Sequence, residues 1–141
     1  KFGYDPLPTH IEPAESPISN PELAREYPLI LITGARTAEN VHSQFRHIPS
    51  LRKKVPEPLA EIHPDTAREY GINDGEVVKV ETKRGSIKIK VQTTEDIVPQ
   101  VISVPHGWAQ ANANLLTDER LVDPVSGFPQ LRSLLCKVVK D

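Results

Sequence analysis

Two short polar segments of the chain carry side chains suited to ligand binding. The first follows the apolar run 29–32, where Thr33-Gly34 ends the run, Arg36 comes next and His42-Ser43-Gln44 stands six residues later. Glycine lets backbone amides approach a ligand, and a guanidinium offers paired donors that suit phosphate or a heteroaromatic edge. The imidazole, hydroxyl and amide of the triplet both donate and accept hydrogen bonds. Together these residues predict a polar, positively charged pocket wall.

The second polar segment, residues 105–118, combines an aromatic ring with amide side chains. Trp108 can stack on a ligand or wall its pocket, and Asn114 can hydrogen-bond the amide-like edge of a ring. Each residue also has a structural interpretation, because tryptophan is often a core residue and asparagine often forms turns. In the same way, Arg36 can be an ordinary surface charge. The order of the motifs is therefore more informative than any one of them.

Chain length, charge and cysteine content exclude several classes of protein. The 141 residues suffice for one domain with a core, but not for a large redox enzyme with its own metal centres. A formal charge of -2 argues against a protein whose whole surface is built to bind nucleic acid. The single cysteine, Cys136, excludes an internal disulfide and an iron–sulfur cluster held by this segment, and its apolar neighbours predict a buried strand residue. No run approaches the roughly 18 apolar residues of a membrane span, so direct membrane insertion is not expected.

Proline spacing divides the chain near residue 26. Six of the fourteen prolines lie within the first 28 residues, together with five acidic side chains. Proline removes backbone donors and fixes φ, so residues 1–26 are predicted to be a proline-rich interdomain linker, in which Ser19 or Asn20 can cap one helical turn. Residues 27–141 are predicted to form the globular domain.

Six segments of the globular part have the composition or alternation of β-strands. They are 29–32, 59–62, 77–81, 87–91, 101–104 and 134–139. Pro64 begins a short helix that Gly71 ends, and the third and fourth strands form an antiparallel hairpin. The predicted class is all-β, a small closed barrel with one or two short helices.

Residues 35–56 are predicted to form a basic loop. They lack clean periodicity and carry five basic side chains against one acid, Glu39. Loops of this length in a compact domain are usually functional or disordered.

The motifs occur in a particular order along residues 27 to 140. This order is Thr33-Gly34, Arg36, His42-Ser43, His63-Pro64-Asp65, 71–75, Arg84-Gly85, 114–117 and 123–127. The series resembles the C-terminal dinucleotide-binding domain of the dimethyl sulfoxide reductase family of molybdopterin oxidoreductases. It is specific for the family and uninformative about the substrate.

The resemblance implies a six-stranded double-psi β-barrel, of the aspartate decarboxylase-like kind, fused behind large metal-containing domains. Such a domain binds molybdopterin guanine dinucleotide, whose molybdenum or tungsten is held by the cofactor and by other domains. The chain would thus be part of an oxidoreductase without being catalytic alone. Its expected partners are the remaining domains of the parent subunit and an iron–sulfur electron-transfer subunit, in the cytoplasm or periplasm of a prokaryote.

The resemblance also implies cofactor contacts and assigns neither a metal ligand nor a catalytic residue to this segment. Family members often read Thr-Gly-Arg after the first strand, whereas here Ala35 intervenes before the arginine. The last strand often presents a basic residue at the position of Lys137. The implied contacts are Thr33, Gly34, Arg36, His42, Ser43, Gln44, Trp108, Asn114 and Lys137.

Two other interpretations compete with this one. The first is a double-psi barrel that recognises protein or nucleic acid without a pterin cofactor, using the basic side chains of 46–54. It leaves the His42-Ser43-Gln44 and Asn114 motifs unexplained. The second rests on Gly85-Ser86, which resembles the self-cleaving pair of pyruvoyl-dependent decarboxylases, but a hairpin turn at Lys83-Arg84-Gly85 adequately explains this segment.

Overall fold

The computed structural model describes residues 3, 7, 9–34, 37–118, 120 and 122–140. This part of the chain forms three α-helices and six strands. They are α1 (Pro21–Glu26), β1 (Leu29–Thr33), α2 (Pro49–Lys54), β2 (Leu59–Ile62), α3 (Pro64–Glu69), β3 (Val77–Glu81), β4 (Ser86–Thr93), β5 (Val101–Val104) and β6 (Leu134–Lys140), with 3-10 turns at Ala109–Ala111 and Ala113–Leu115.

The six strands close into a barrel in the order β1-β5-β2-β4-β3-β6. Strand β1 runs parallel to β5 and β2 runs parallel to β4, while the other four neighbouring pairs are antiparallel. The predicted double-psi β-barrel is therefore confirmed, and each of the six predicted strands is present. Closure removes exposed sheet edges, because every strand is paired on both sides.

Alternation of side chains along the strands builds the core. In β1, Leu29 and Leu31 are fully buried, whereas Ile30 and Ile32 are partly exposed on the outer face. In β2, Ile62 points inwards and Glu61 outwards, as the period of two requires. Cys136 lies in this core, as predicted, and its burial raises the pKa of the thiol far above its ordinary value. The outward positions are thus left free for contacts with loops and ligands.

Two of the three helices match the sequence prediction. Asn20 caps α1, because its side-chain oxygen accepts a hydrogen bond from the Leu23 amide at 3.1 Å. Helix α3 starts at Pro64, and Gly71 follows it with a φ of 64°. Helix α2, inside the predicted basic loop, was not predicted. Ile48 makes no side-chain capping bond there and no residue of α2 is buried, so the sequence shows neither a cap nor an amphipathic pattern.

Part of the predicted linker packs onto the barrel. Glu15 is only 2% exposed, and it accepts hydrogen bonds from both terminal nitrogens of Arg84, one of them at 3.0 Å. Lys83 reaches the same carboxylate at 2.5 Å. The Arg84 Nε donates to Asp118 at 3.0 Å. This buried ion cluster joins the N-terminal segment, the β3–β4 turn and the loop after β5.

Candidate functional site

The parallel pairing of β1 with β5 brings the two predicted polar segments to one end of the barrel. Thr33 pairs with Val104, so the residues that follow each strand emerge side by side. The buried Thr33 hydroxyl lies 3.0 Å from the Leu131 carbonyl oxygen and 3.0 Å from His106 Nε2. Gly34 follows with a φ of 81°, close to the His106 ring. A hydroxyl, an imidazole and a flexible backbone thus meet at this end.

A tight turn from Val41 to Gln44 carries His42 and Ser43 to the same end. The Gln44 amide donates to the Val41 carbonyl at 3.0 Å, and His42 takes a φ of 56°, which non-glycine residues rarely adopt. The His42 and His106 rings stand edge to face with centroids 5.7 Å apart. Such backbone strain is often found at functional sites.

Gly107 and Arg46 hold this turn against the segment after β5. A Cβ added to Gly107 would lie 2.7 Å from the Ser43 nitrogen and 2.8 Å from the His42 carbonyl carbon. Arg46 donates to the Gly107 carbonyl, and its guanidinium lies 4.2 Å from the Trp108 ring centroid. Neither Arg46 nor His106 was among the predicted cofactor contacts, because their positions depend on contacts 60 or more residues away along the chain.

Two cavities open beside His42. One, of about 730 Å³, is lined by Thr33, Gly34, His42 and residues 128–133. The other, of about 340 Å³, lies between His42, His106, Trp108 and the α2–β2 connection. Of the predicted site residues, Thr33, Gly34, His42 and Trp108 therefore line connected surfaces at this end. Ser43 and Gln44 are exposed on the adjoining turn, and Arg36 lies outside the described residues.

Asn114 occupies a neighbouring cavity of about 740 Å³, with Arg84, Thr117 and Asp118 among its lining residues. Pro129 lines both this cavity and the one at Thr33, so the two lie next to each other. The hairpin turn supports the Asn114 loop, because Thr82 Oγ1 donates to the Leu116 carbonyl at 3.1 Å. Asn114 is thus near the His42 end without sharing its cavity.

Lys137 does not join this group in the structure. Its ammonium lies 3.1 Å from Glu81 and 4.8 Å from the centroid of the Tyr27 ring. It follows Cys136, which pairs with Leu29 at the start of β1, whereas Thr33 ends that strand. Lys137 therefore forms an ion pair on the barrel wall. Its hydrogen bond to Glu81 raises the pKa of the Lys137 ammonium.

We expect the His106 imidazole to titrate below its ordinary pKa of 6.5, because burial lowers this pKa and the neighbouring His42 lowers it further. Since the folded pKa lies below the unfolded one, this histidine should reduce stability as pH falls through and below about 6.5. Proton NMR titration of the imidazoles measures the pKa directly. The His42→Gln variant removes the smaller of the two causes. The pKa of His106 should therefore rise in this variant, but not as far as 6.5. A midpoint above 6.5 would contradict the burial of His106.

Neither a metal-binding cluster nor a membrane span occurs in the part of the chain that the structure describes. No group of three or more His, Cys, Asp or Glu side chains there is arranged to hold a metal ion. The helices described are all too short and insufficiently apolar to cross a bilayer.

Residues 29–135 match the family model described as "Molydopterin dinucleotide binding domain". Acetylene hydratase of Syntrophotalea acetylenica is 37% identical over 159 residues, covering 99% of this chain and 22% of that protein. Dopamine dehydroxylase of Eggerthella lenta is 36% identical over 146 residues, covering 95% of this chain and 14% of that protein. A solved structure of acetylene hydratase from Pelobacter acetylenicus matches with a TM-score of 0.89 and 34% identity, over 99% of this chain and 22% of that chain.

The chain therefore spans between 14% and 22% of the length of these relatives. The family match takes in the barrel strands from β1 into β6, together with the Thr33-Gly34, His42-Ser43 and Asn114 motifs. On these grounds, the chain belongs to the molybdopterin dinucleotide binding domain family.

Proposed function

We propose that this chain is the C-terminal domain of a molybdenum- or tungsten-dependent oxidoreductase and binds molybdopterin guanine dinucleotide. The observation that carries the proposal is the convergence of Thr33, His42 and His106 at one end of the β1–β5 pair, beside two cavities. Membership of the dinucleotide-binding family supports this function over a module for protein or nucleic acid.

Unpaired buried polar atoms test whether the residues present fit such a cofactor. His42 Nδ1 and Arg46 Nε are buried without a hydrogen-bond partner among the described residues. Buried polar groups in folded proteins are nearly always paired, so these two atoms are available to a ligand. Pterin edges need donors and acceptors, and a pyrophosphate needs positive charge. The site supplies hydrogen-bonding groups for the pterin and positive charge for the pyrophosphate, so its residues fit the cofactor.

The cofactor, when bound, supplies the redox metal through its dithiolene sulfurs. This chain's residues bind and orient the organic part. Thr33 and Gly34 present hydroxyl and backbone groups, while His42, Ser43 and Gln44 present side-chain donors and acceptors on one turn. Trp108 walls the site, and Asn114 approaches from the neighbouring cavity. Arg36 is included among the cofactor contacts because it follows Gly34 closely in the chain. For Lys137, the ion pair with Glu81 favours a structural role.

The parent protein and its partners extend this proposal. Because the chain matches only 14–22% of the relatives' length, further domains complete the subunit. We infer that residues 1–26 are the linker to those domains and that the subunit passes electrons to an iron–sulfur subunit. The substrate is set by the rest of the parent chain.

Binding of the isolated cofactor to the isotope-labelled chain tests the function. Amide shifts are expected at residues 33–44 and 112–117. The His42→Ala variant should weaken binding about tenfold, because it removes a hydrogen-bonding group in a buried site. The His10→Ala variant is the matched control, since this exposed histidine pairs only with Glu12 in the described structure. Absence of binding, or equal losses in both variants, would exclude the proposed function.

A further inference from the structure

The cavity of about 340 Å³ has a polar floor on the outer face of the barrel. Glu61 of β2 pairs with Ser103 of β5 on one side and with Gln92 of β4 on the other. The three side chains line the cavity as a row of hydroxyl, carboxylate and carboxamide. Ser103 is only 3% exposed although it belongs to the outer face, whereas Gln92 is exposed. A carboxylate thus stands between a buried hydroxyl and an exposed carboxamide.

Asn40 lines the same cavity with an unpaired amide. The side chain is only 4% exposed, yet neither its Nδ2 nor its Oδ1 has a hydrogen-bond partner among the described residues. Its backbone is anchored, because the Asn40 amide nitrogen donates to Thr37 Oγ1 at 3.1 Å. Leaving both atoms of a buried carboxamide unpaired destabilises the ligand-free protein. The arrangement is explained if a ligand supplies one acceptor and one donor.

The remaining walls favour a flat ring. Val55, Pro56, Pro58, Pro105 and Trp108 present apolar surfaces around the polar floor. The volume falls in the range of small-molecule pockets. The floor disfavours phosphate, because the Glu61 carboxylate would repel an anion. The floor of this cavity therefore suits the ring of a ligand better than its phosphate.

We propose that this cavity binds the 2-amino-4-oxopyrimidine edge shared by pterins and guanine. The exocyclic amine of that edge donates to the Glu61 carboxylate, and the Asn40 carboxamide pairs with the ring carbonyl and the adjacent ring N–H, donating to the first and accepting from the second. This inference rests on the proposed function and deepens it, because it assigns Asn40 and Glu61 as the residues that select the heterocycle.

Titration of the 141-residue chain with paired probes tests this assignment. Guanosine diphosphate is compared with inosine diphosphate, and pterin with lumazine, because the second member of each pair lacks the 2-amino group. We expect the amino-bearing member of one pair to bind about tenfold more tightly, with amide shifts at residues 37–42 and 61. The pair that discriminates identifies the source of the edge as guanine or pterin. Equal binding within both pairs, or no binding by any probe, overturns the assignment.

Variants of the two selecting residues provide a second readout. Glu61→Gln and the near-isosteric Asn40→Leu should each abolish the discrimination, while Glu95→Gln, an exposed carboxylate outside the cavity, should keep it. Because Asn40→Leu removes an unpaired buried amide, it should also raise the Tm of the ligand-free chain by about 3 °C. A lower Tm, or discrimination that survives in both variants, contradicts the site.

Binding of the intact cofactor separates this inference from the proposed function. If wild-type chain fails to bind the isolated dinucleotide, the proposed function itself fails. If it binds and the Asn40→Leu and Glu61→Gln variants bind equally well, the cofactor uses the other cavities and only the present inference fails.

Discussion

Replacing Arg84 by methionine is expected to destabilise the folded chain by about 3 kcal/mol, because it leaves a buried carboxylate without its main partner. Glu15 is 2% exposed and receives both terminal nitrogens of the guanidinium. Methionine retains the length and apolar stem of arginine but provides no donor. Urea denaturation measures the loss, and amide exchange of residues 12–18 is expected to quicken as the N-terminal segment detaches. The NMR amide signal of Asn114 should also shift, because Asn114 and Arg84 line one cavity and Arg84 is bonded to Asp118 in the same loop.

The Arg68→Met variant is the matched control for Arg84→Met. Arg68 pairs with Asp65 at 2.9 Å, but both side chains are well exposed, so the change should cost about 0.5 kcal/mol or less. Equal costs for the two variants would show that burial does not strengthen the Arg84 cluster.

The loss in free energy of unfolding caused by Arg84→Met should depend on pH. Burial raises the pKa of the Glu15 carboxyl, but hydrogen bonds from Arg84 and Lys83 outweigh this, and the net pKa lies below its ordinary value of 4.5. A lowered folded pKa gives stability that is fully present above about pH 4.5 and is lost as pH falls through the folded pKa. The difference in free energy of unfolding between wild type and variant is therefore expected to shrink below pH 4.5. A difference that stays constant down to pH 2 would contradict this linkage.

Replacing Gly107 by alanine should destabilise the chain by about 3 kcal/mol, through backbone strain and a steric clash together. Gly107 has a φ of 84°, and an added methyl would lie 2.7 Å from the Ser43 nitrogen and 2.8 Å from the His42 carbonyl carbon. Both are backbone atoms, so rotation of a side chain cannot relieve the overlap. The turn that carries His42 and Ser43 must move away, and cofactor affinity should fall together with stability.

Gly71→Ala separates strain from clash. Gly71 also has a positive φ, 64°, but an added Cβ would meet nothing within 4 Å. Its replacement should therefore cost only the strain, about 1 kcal/mol, and leave cofactor binding unchanged. If Gly107→Ala costs no more than Gly71→Ala in chemical denaturation, the close approach of residue 107 to the turn does not constrain the site.

The barrel strands could be predicted from local sequence because each carries its own signal. In β4, apolar and polar residues alternate from Ile87 to Val91, and the same alternation of burial appears in the structure. Helix α3 was predictable for a similar reason, since Pro64 and Gly71 mark its two ends. Helix α2 could not be predicted, because its start lacks a capping side chain and none of its residues enters the core.

Candidate site residues could be proposed from the sequence where a motif carries them, but not where distant segments meet. Thr33 and His42 stand in a recognisable order along the chain, and the structure places both beside one cavity. Asn40 and Glu61 stand in no such motif. They could not be paired from the sequence, because the cavity that both line forms only when β2 pairs with β5. Lys137 pairs with Glu81 away from these cavities, and its contact with the cofactor stays a prediction.

The strands, the turns between them and the order of the motifs follow from local sequence, because they depend on neighbouring residues and on the alternation of side chains. Which motifs share a cavity depends on how distant segments pack together. Strands β1 and β5 are about 70 residues apart in the chain and pair in parallel, so His106 reaches Thr33 only through barrel closure. Packing of the N-terminal segment onto the barrel likewise buried Glu15 against Arg84. Such a pair could not be read from the sequence, because its two members are 69 residues apart in the chain.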